Sequence, residues 1–328
     1  MDIEIVSRLR GEKLNKWTSL MADGGLTATS IPQRVVLVWD GEALIASGGR
    51  DGNILKQLAV SSGRQGEDLL STVLTELKKD AFDDGHTHLF LYTKPSNKLI
   101  FTSLFFYPVA ETDKVLVMEN KRDGIKLFLD GLPTDEQTQN VGAIVMNCNP
   151  FTLGHRYLIE TASSECDRVY VFVLSEEGSG FSAKDRLAMV KLGTSHLPNV
   201  TVLQTGPYLI SSATFPTYFL KDRDSAETVH CDVDIEIFLK YFVPKFSIKR
   251  RYVGTEPLSQ MTDKYNCALR EKLPTAGIEL REIERKENGG IPISASAVRR
   301  LAEEGKLDEL KKIVPKTTYD YLTDNNLI

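Results

Sequence analysis

Between Val141 and Leu174 the chain runs twice through uninterrupted apolar segments, VGAIVM and RVYVFVL, with a patterned stretch between them. A strand that is apolar on both faces belongs inside a sheet covered from both sides. The intervening HRYLIETASS repeats Leu158, Ile159 and Ala162 at helical spacing. Two such strands joined by a helix make a βαβ unit, and therefore a parallel sheet. The spacing predicts strands over 141–147 and 168–174 and a helix over about 155–163. The second half of the chain is thus expected to be α/β and doubly wound.

The polar, turn-rich GLPTDEQTQN (131–140) separates that half from an earlier patterned region and predicts two domains, 1–132 and 133–328. In the first, VVLVWDGEALIASGGRDGNILKQLAV (35–60) reads as three strands joined by two turns. A helix is expected from about Glu67 to Lys79, with Leu69, Leu70, Val73, Leu74 and Leu77 on one face. HLFLYT and LIFTSLFFYPV continue the alternation, with His86 and His88 along a strand edge. In the second, helices are expected over AKDRLAMVKLGTSH and 234–242, a strand and loop over KRRYVGTE, and helices from SASAVRR onward. Ser294 reads as an N-cap and Gly305 as a break.

Composition narrows the function classes. Charged residues make up 26% and the formal net charge is −5, so nothing general attracts DNA or RNA. No segment reaches the roughly 18 apolar residues of a membrane span, and the N-terminus carries no signal peptide pattern. Cys148, Cys166, Cys231 and Cys267 form no CxxC pair, which predicts free thiols and a cytoplasmic protein without a zinc site. Cys148 closes an apolar strand and reads as inert packing. Asp232, Asp234 and Glu236 read as the solvated first turn of a helix, not as metal ligands.

The chemistry concentrates in two stretches. NPFTLGH (149–155) follows the first parallel strand, where open α/β sheets bind ligands. Pro150 cannot continue a ladder, Gly154 allows close backbone approach, and the next helix offers free N–H groups to a phosphate. Thr152 and His155 add donors there, although His155 alone reads equally well as a helix cap. PISASAVRR (292–300) sets Ser294, Ser296 and Arg299 around a second helix start. Alone it is an ordinary capped helix, but beside the first stretch it reads as an anion clamp.

NPFTLGH resembles the [HT]-x-G-H signature of the nucleotidyltransferase superfamily, and ISASAVR resembles its ISxSxxR partner. SSATFPTYFLK, KRRYVGTEP, KYN and VPKTTYDYL narrow the likeness, across essentially the whole chain, to the citrate lyase ligase family. The resemblance implies a Rossmann-like C-terminal domain preceded by a GNAT-like α/β domain. It implies acetate activated by ATP to acetyl adenylate, then acetylation of the CoA-like thiol arm on the citrate lyase acyl-carrier subunit. His155 and Thr152 would contact the α/β-phosphates, and Ser294, Ser296 and Arg299 the β/γ-phosphates. Asn149, Phe151, Gly154, Gly254 and Glu256 would complete the nucleotide site. Mg²⁺ would travel with ATP, held by phosphates and water, with no protein metal ligand. Arg186, Ser211 and Ser212 are candidates for the substrate side.

One departure from the pattern stands out. The GNAT loop [QR]-x-x-G-x-[GA] corresponds to GRQGED (63–68), with Gly63 first and Asp68 last. A carboxylate at a pyrophosphate-binding helix start is repulsive. The domain is therefore not expected to bind acetyl-CoA in the usual way, and docking of the carrier or its arm is the alternative role. Competing readings are an adenylyltransferase for pantetheine phosphate or nicotinamide mononucleotide, a non-catalytic nucleotide or carrier binder, and a working GNAT acetyltransferase.

Overall fold

The computed structural model describes residues 1–328 except 29, 66–67, 136–137, 178–179, 210–217, 219–222 and 257–259. The chain forms two compact units, Met1–Ile125 with Phe215–Glu236, and Lys126–Thr214 with Ile237–Ile328.

The first unit is built on a seven-stranded sheet. Its strands are β1 (Asp2–Val6), β2 (Arg34–Asp40), β3 (Ala43–Asp51), β4 (Ile54–Val60), β5 (Phe90–Thr93), β6 (Tyr107–Glu111) and β7 (Leu116–Glu119), in the order β1-β2-β3-β4-β5-β7-β6. All neighbours are antiparallel except β4 and β5. The two hairpins of 35–60 turn at Gly41 and Gly52, whose φ of 58° and 52° suit tight two-residue loops. Strand period two divides the apolar residues between two covers. Val36 and Val38 pack in one core with Val73, Leu74 and Leu77 of the helix Leu69–Asp83. Val35 and Leu37 pack in another with Trp17, Leu20 and Met21 of the helix Gly11–Asp23.

The helix expected to end at Lys79 continues to Asp83, because Ala81 still faces the core and Asp80 is held by two arginines, one of them buried. Arg50, 2% exposed, donates from Nε to Asp80 at 2.6 Å, and Arg34 holds the other carboxylate oxygen at 2.5 Å. His86 and His88 precede β5 and do not run along it. His88 instead meets the buried Glu119 at 2.6 Å, and Glu119 also accepts the N–H of Ile125.

The second unit holds a five-stranded, wholly parallel sheet of β8 (Val141–Met146), β9 (Arg168–Val173), β10 (Val200–Gln204), β11 (Arg250–Gly254) and β12 (Glu279–Ile283). The order is β10-β9-β8-β11-β12. The chain winds outward from β8 to one edge, then returns to its other side. The switch point between β8 and β11 is where such a sheet opens a crevice. Gly142 allows the close stack there, since a Cβ would lie 2.9 Å from Cys166 Sγ and 3.0 Å from the Tyr252 ring.

Two expectations about segment limits change. The chain first passes between units at Ile125/Lys126, inside the helix Gly124–Asp130 and ahead of 131–140. Phe128 of that helix packs on the Tyr208 ring at 5.4 Å, which draws the helix into the second unit. The helix expected over 234–242 begins at Arg223, runs to Ile237 and passes through a π-turn, Phe238–Phe242. Buried Val229, Val233 and Ile237 recur every four residues and extend its apolar face upstream. Asp232, Asp234 and Glu236 consequently lie in its last turns, with Asp234 buried. No helix among the described residues is long and apolar enough to cross a membrane.

Removing one partner of a buried ion pair strands the other charge. Asp80→Ala is expected to destabilise the protein by about 3–5 kcal/mol, read as a lowered urea midpoint, with Asp84→Ala costing far less.

Candidate functional site

Strand β8 ends at Met146, earlier than expected, and the chain crosses its carboxyl end through Cys148, with φ +52°, and a cis Asn149–Pro150 bond. The helix Leu153–Glu165 follows, capped by Thr152. Thr152 Oγ1 accepts the N–H of His155 at 3.3 Å, and His155 Nδ1 accepts the N–H of Thr152 at 3.0 Å. This reciprocal capping box fixes the tautomer. A backbone N–H can only donate, so Nδ1 is bare and Nε2 carries the proton. Burial first, and the Arg285 cation second, push this imidazole down to about 4, so it is neutral at physiological pH. Phe151, fully buried, lies nearly parallel to the His155 ring with centroids 5.9 Å apart.

A cavity of about 630 Å³ opens at the ends of β8 and β11 and is lined by Thr152, Gly154 and His155. Its size falls within the usual range for small-ligand sites. The helix Ala295–Glu303 starts on the same cavity, with Ser294 as N-cap accepting the N–H of Ala297 at 3.2 Å. Two helix N-termini therefore open on one space, and both favour an anion. Arg299 joins the two stretches, donating to the backbone oxygen of Asn149 and, at 3.3 Å, to Ser296 Oγ. Past β11, Asn266 donates to the Gly254 oxygen at 3.0 Å and steadies that loop. Glu256, with a side chain only 4% exposed, pairs with Arg285, which also donates to the Thr255 oxygen at 2.8 Å.

Residues 141–322 match the family model for the citrate lyase ligase C-terminal domain. The chain belongs to the citrate lyase ligase family. It is 37% identical over 324 residues to [citrate [pro-3S]-lyase] ligase of Escherichia coli (strain K12), covering 97% of this chain and 92% of that protein. The enzyme of the same name from Klebsiella pneumoniae is 39% identical over 287 residues, or 86% and 84% of the two chains. That of Haemophilus influenzae is 36% identical over 297 residues, or 86% and 87%.

In this citrate lyase ligase family member the cavity gathers Thr152, Gly154, His155, Gly254, Glu256, Ser294 and Ser296 from the expected set, with Arg299 bonded at its rim to Ser296. Other expected residues sit elsewhere. Phe151 lies under the site, its ring so close to Gly193 that a Cβ there would fall 2.3 Å from it. The Asn149 side-chain oxygen accepts the N–H of Phe181 at 2.9 Å and ties down the loop after β9. Arg186, 2% exposed, is neither solvated nor turned to an anion. Its guanidinium holds the backbone oxygens of Asn147 at 3.0 Å, of Phe181 at 3.2 Å and of Glu176, fastening both strand-end loops. Ser211 and Ser212 lie outside the described residues. Cys148 is buried, and burial pushes its thiol up, so it stays protonated.

Sequence reading missed Asn147, Arg285 and Lys286, which also line the cavity. The available signal was their position directly beyond the ends of β8 and β12.

His155 supplies a test of the capping box. Its pKa lies below the 6.5 of an unperturbed imidazole, so the unfolded chain takes the proton first. Stability should therefore fall as pH drops from about 6.5 toward about 4, and His155→Gln should flatten that part of the profile. Arg285→Gln, which removes the nearby cation, should raise the His155 pKa in an NMR titration.

Proposed function

We propose that this chain activates acetate with ATP and transfers the acetyl group to the thiol of the prosthetic arm on the acyl-carrier subunit of citrate lyase. One observation carries the reading: two helix N-termini and a neutral imidazole N–H share one cavity at the switch point of a parallel sheet. Membership of the citrate lyase ligase family supports the choice of substrates.

In the first step an acetate oxygen attacks the α-phosphorus, the bond to the bridging oxygen breaks, and pyrophosphate leaves. In the second, the thiolate sulfur attacks the acetyl carbon and AMP departs with the carboxyl oxygen. ATP enters as its magnesium complex, the ion bound by phosphates and water. The protein's work is positioning and charge stabilisation, not covalent chemistry. His155 Nε2–H and the free amides of its helix face the α- and β-phosphates. Being neutral, His155 donates without itself passing a proton. Ser294, Ser296 and Arg299 hold the β- and γ-phosphates and the departing pyrophosphate. Gly254 and Glu256 border the nucleoside, with Arg285 holding the Glu256 carboxylate in place. Cys148, Cys166 and Cys231 are buried thiols outside any disulfide, which suits a reducing cytoplasm.

Exchange of labelled pyrophosphate into ATP tests the first step without the carrier. It is expected to require acetate. Exchange that needs a phosphorylated acceptor instead would refute the acetate reading in favour of another adenylyltransferase. His155→Ala and Arg299→Ala should each lower the exchange rate by about 10²–10³-fold, the usual cost of one preorganised donor.

Gly154 separates folding from binding. A Cβ there would sit 3.5 Å from the Ile293 oxygen, an ordinary contact. Gly154→Ala should therefore keep the melting temperature while weakening ATP binding about tenfold, or about 1.4 kcal/mol.

A further inference from the structure

Strand period two gives β11 two different faces. Tyr252 turns toward the helix Leu153–Glu165, and its hydroxyl donates to the Glu165 carboxylate at 2.9 Å. Arg251 and Val253 turn the other way. So do Ala143 and Val145 of β8, since Arg251 stands beside Ala143 in the parallel register. On that face Arg251 is 2% exposed, and its guanidinium carbon lies 4.5 Å from the centre of the Phe238 ring. Phe238 belongs to the π-turn and stacks on Phe242 at 6.3 Å. Phe242 in turn meets Phe172 of β9 edge-on at 5.2 Å. The cation is thus seated on an aromatic floor that runs back into the sheet.

The cavity at the ends of β8 and β11 reaches this face, where Val145, Arg251 and Val253 line it. It therefore has two polar parts of different chemistry. One is made by the helix starts at Thr152 and Ser294, which favour multiply charged oxygens. The other is a buried guanidinium set among aromatic and β-branched side chains. Arg285, which also lines the cavity, is held by Glu256 and by the Thr255 oxygen.

We propose that Arg251 is the carboxylate anchor of this site and, with Val145 and Val253, forms a pocket for a short monocarboxylate. A planar guanidinium stacked on a ring keeps its N–H groups in one plane, which matches two carboxylate oxygens. The two valine side chains offer an apolar place for a methyl group. An ionised carboxylate has about four lone-pair sites, so an oxygen bonded to Arg251 can still attack phosphorus. That acetate is the acid and the α-phosphorus its target rests on the proposed function. Once the adenylate has formed, the remaining carbonyl oxygen stays on Arg251, which stabilises the charge that gathers there as the thiolate attacks.

The test compares acetate with ATP on the full-length protein and on Arg251→Met, Arg251→Lys and Val145→Leu. Arg251→Met keeps an unbranched side chain against Phe238. It should raise the acetate concentration that half-saturates pyrophosphate exchange by about 10–100-fold, and leave ATP affinity, read by calorimetry, unchanged. Arg251→Lys restores the charge without the fork and should recover part of the loss. Val145→Leu narrows the pocket and should raise the acetate half-saturation by about tenfold. An unchanged acetate half-saturation in Arg251→Met, or acetate and ATP weakened by the same factor, would overturn the anchor. Should Arg251→Met fail to fold, an unchanged value in Val145→Leu overturns it alone. Acetate binding read by saturation-transfer NMR needs no turnover and separates the two claims. Wild type that binds acetate through Arg251 yet shows no exchange refutes the proposed function and leaves the anchor standing. Wild type that does neither refutes both.

Discussion

The N–H of Thr152 points at Nδ1 of His155 across 3.0 Å, and much of the second unit serves to keep it there. Phe151, seated over Gly193, sets one side of the imidazole. The N–H of Leu153 is bonded to the Ile313 oxygen at 3.0 Å, so a late segment of the chain pins the helix start. Arg186 fastens the neighbouring strand-end loops from below. With Nδ1 fully engaged by donors, the ring has one remaining role, that of a neutral donor from Nε2. Under the proposed function, such a donor suits the stabilisation of charge at a fixed place.

The first unit shows the same economy of polar groups in a different setting. Asp80, Arg34 and Arg50 make a compact cluster where a helix meets two strands. The single parallel pairing in an otherwise antiparallel sheet leaves strand edges that the ladder does not serve. Tyr218 serves them instead.

What could be read in the sequence was what repeats or punctuates. Apolar runs 141–146 and 168–173 announced a parallel sheet because burial on both faces leaves no polar alternation. Thr152 and Ser294 announced helix starts because capping hydroxyls have a fixed offset from the apolar face. Roles set by tertiary neighbours were not legible. Arg186 was read as a candidate for the substrate side because its acceptors are backbone oxygens, which every residue carries and no residue type marks. Phe151 was read as touching nucleotide because sequence adjacency to His155 does not say which way a ring turns. Arg285 reaches the site only because β12 lies beside β11, a pairing formed across more than twenty residues. Tyr218 stood among aromatic residues that periodicity could not assign to one unit or the other.

Arg299 carries one more consequence. Its guanidinium is already bonded to the Asn149 oxygen and to Ser296, so an incoming anion must displace partners before it gains a cation. A short anion that reaches one helix start recovers little of that loss. A chain of linked phosphates that reaches both helix starts recovers it twice over. With ATP as the proposed ligand, this arrangement would act as a length filter that favours polyphosphate chains over sulfate and orthophosphate.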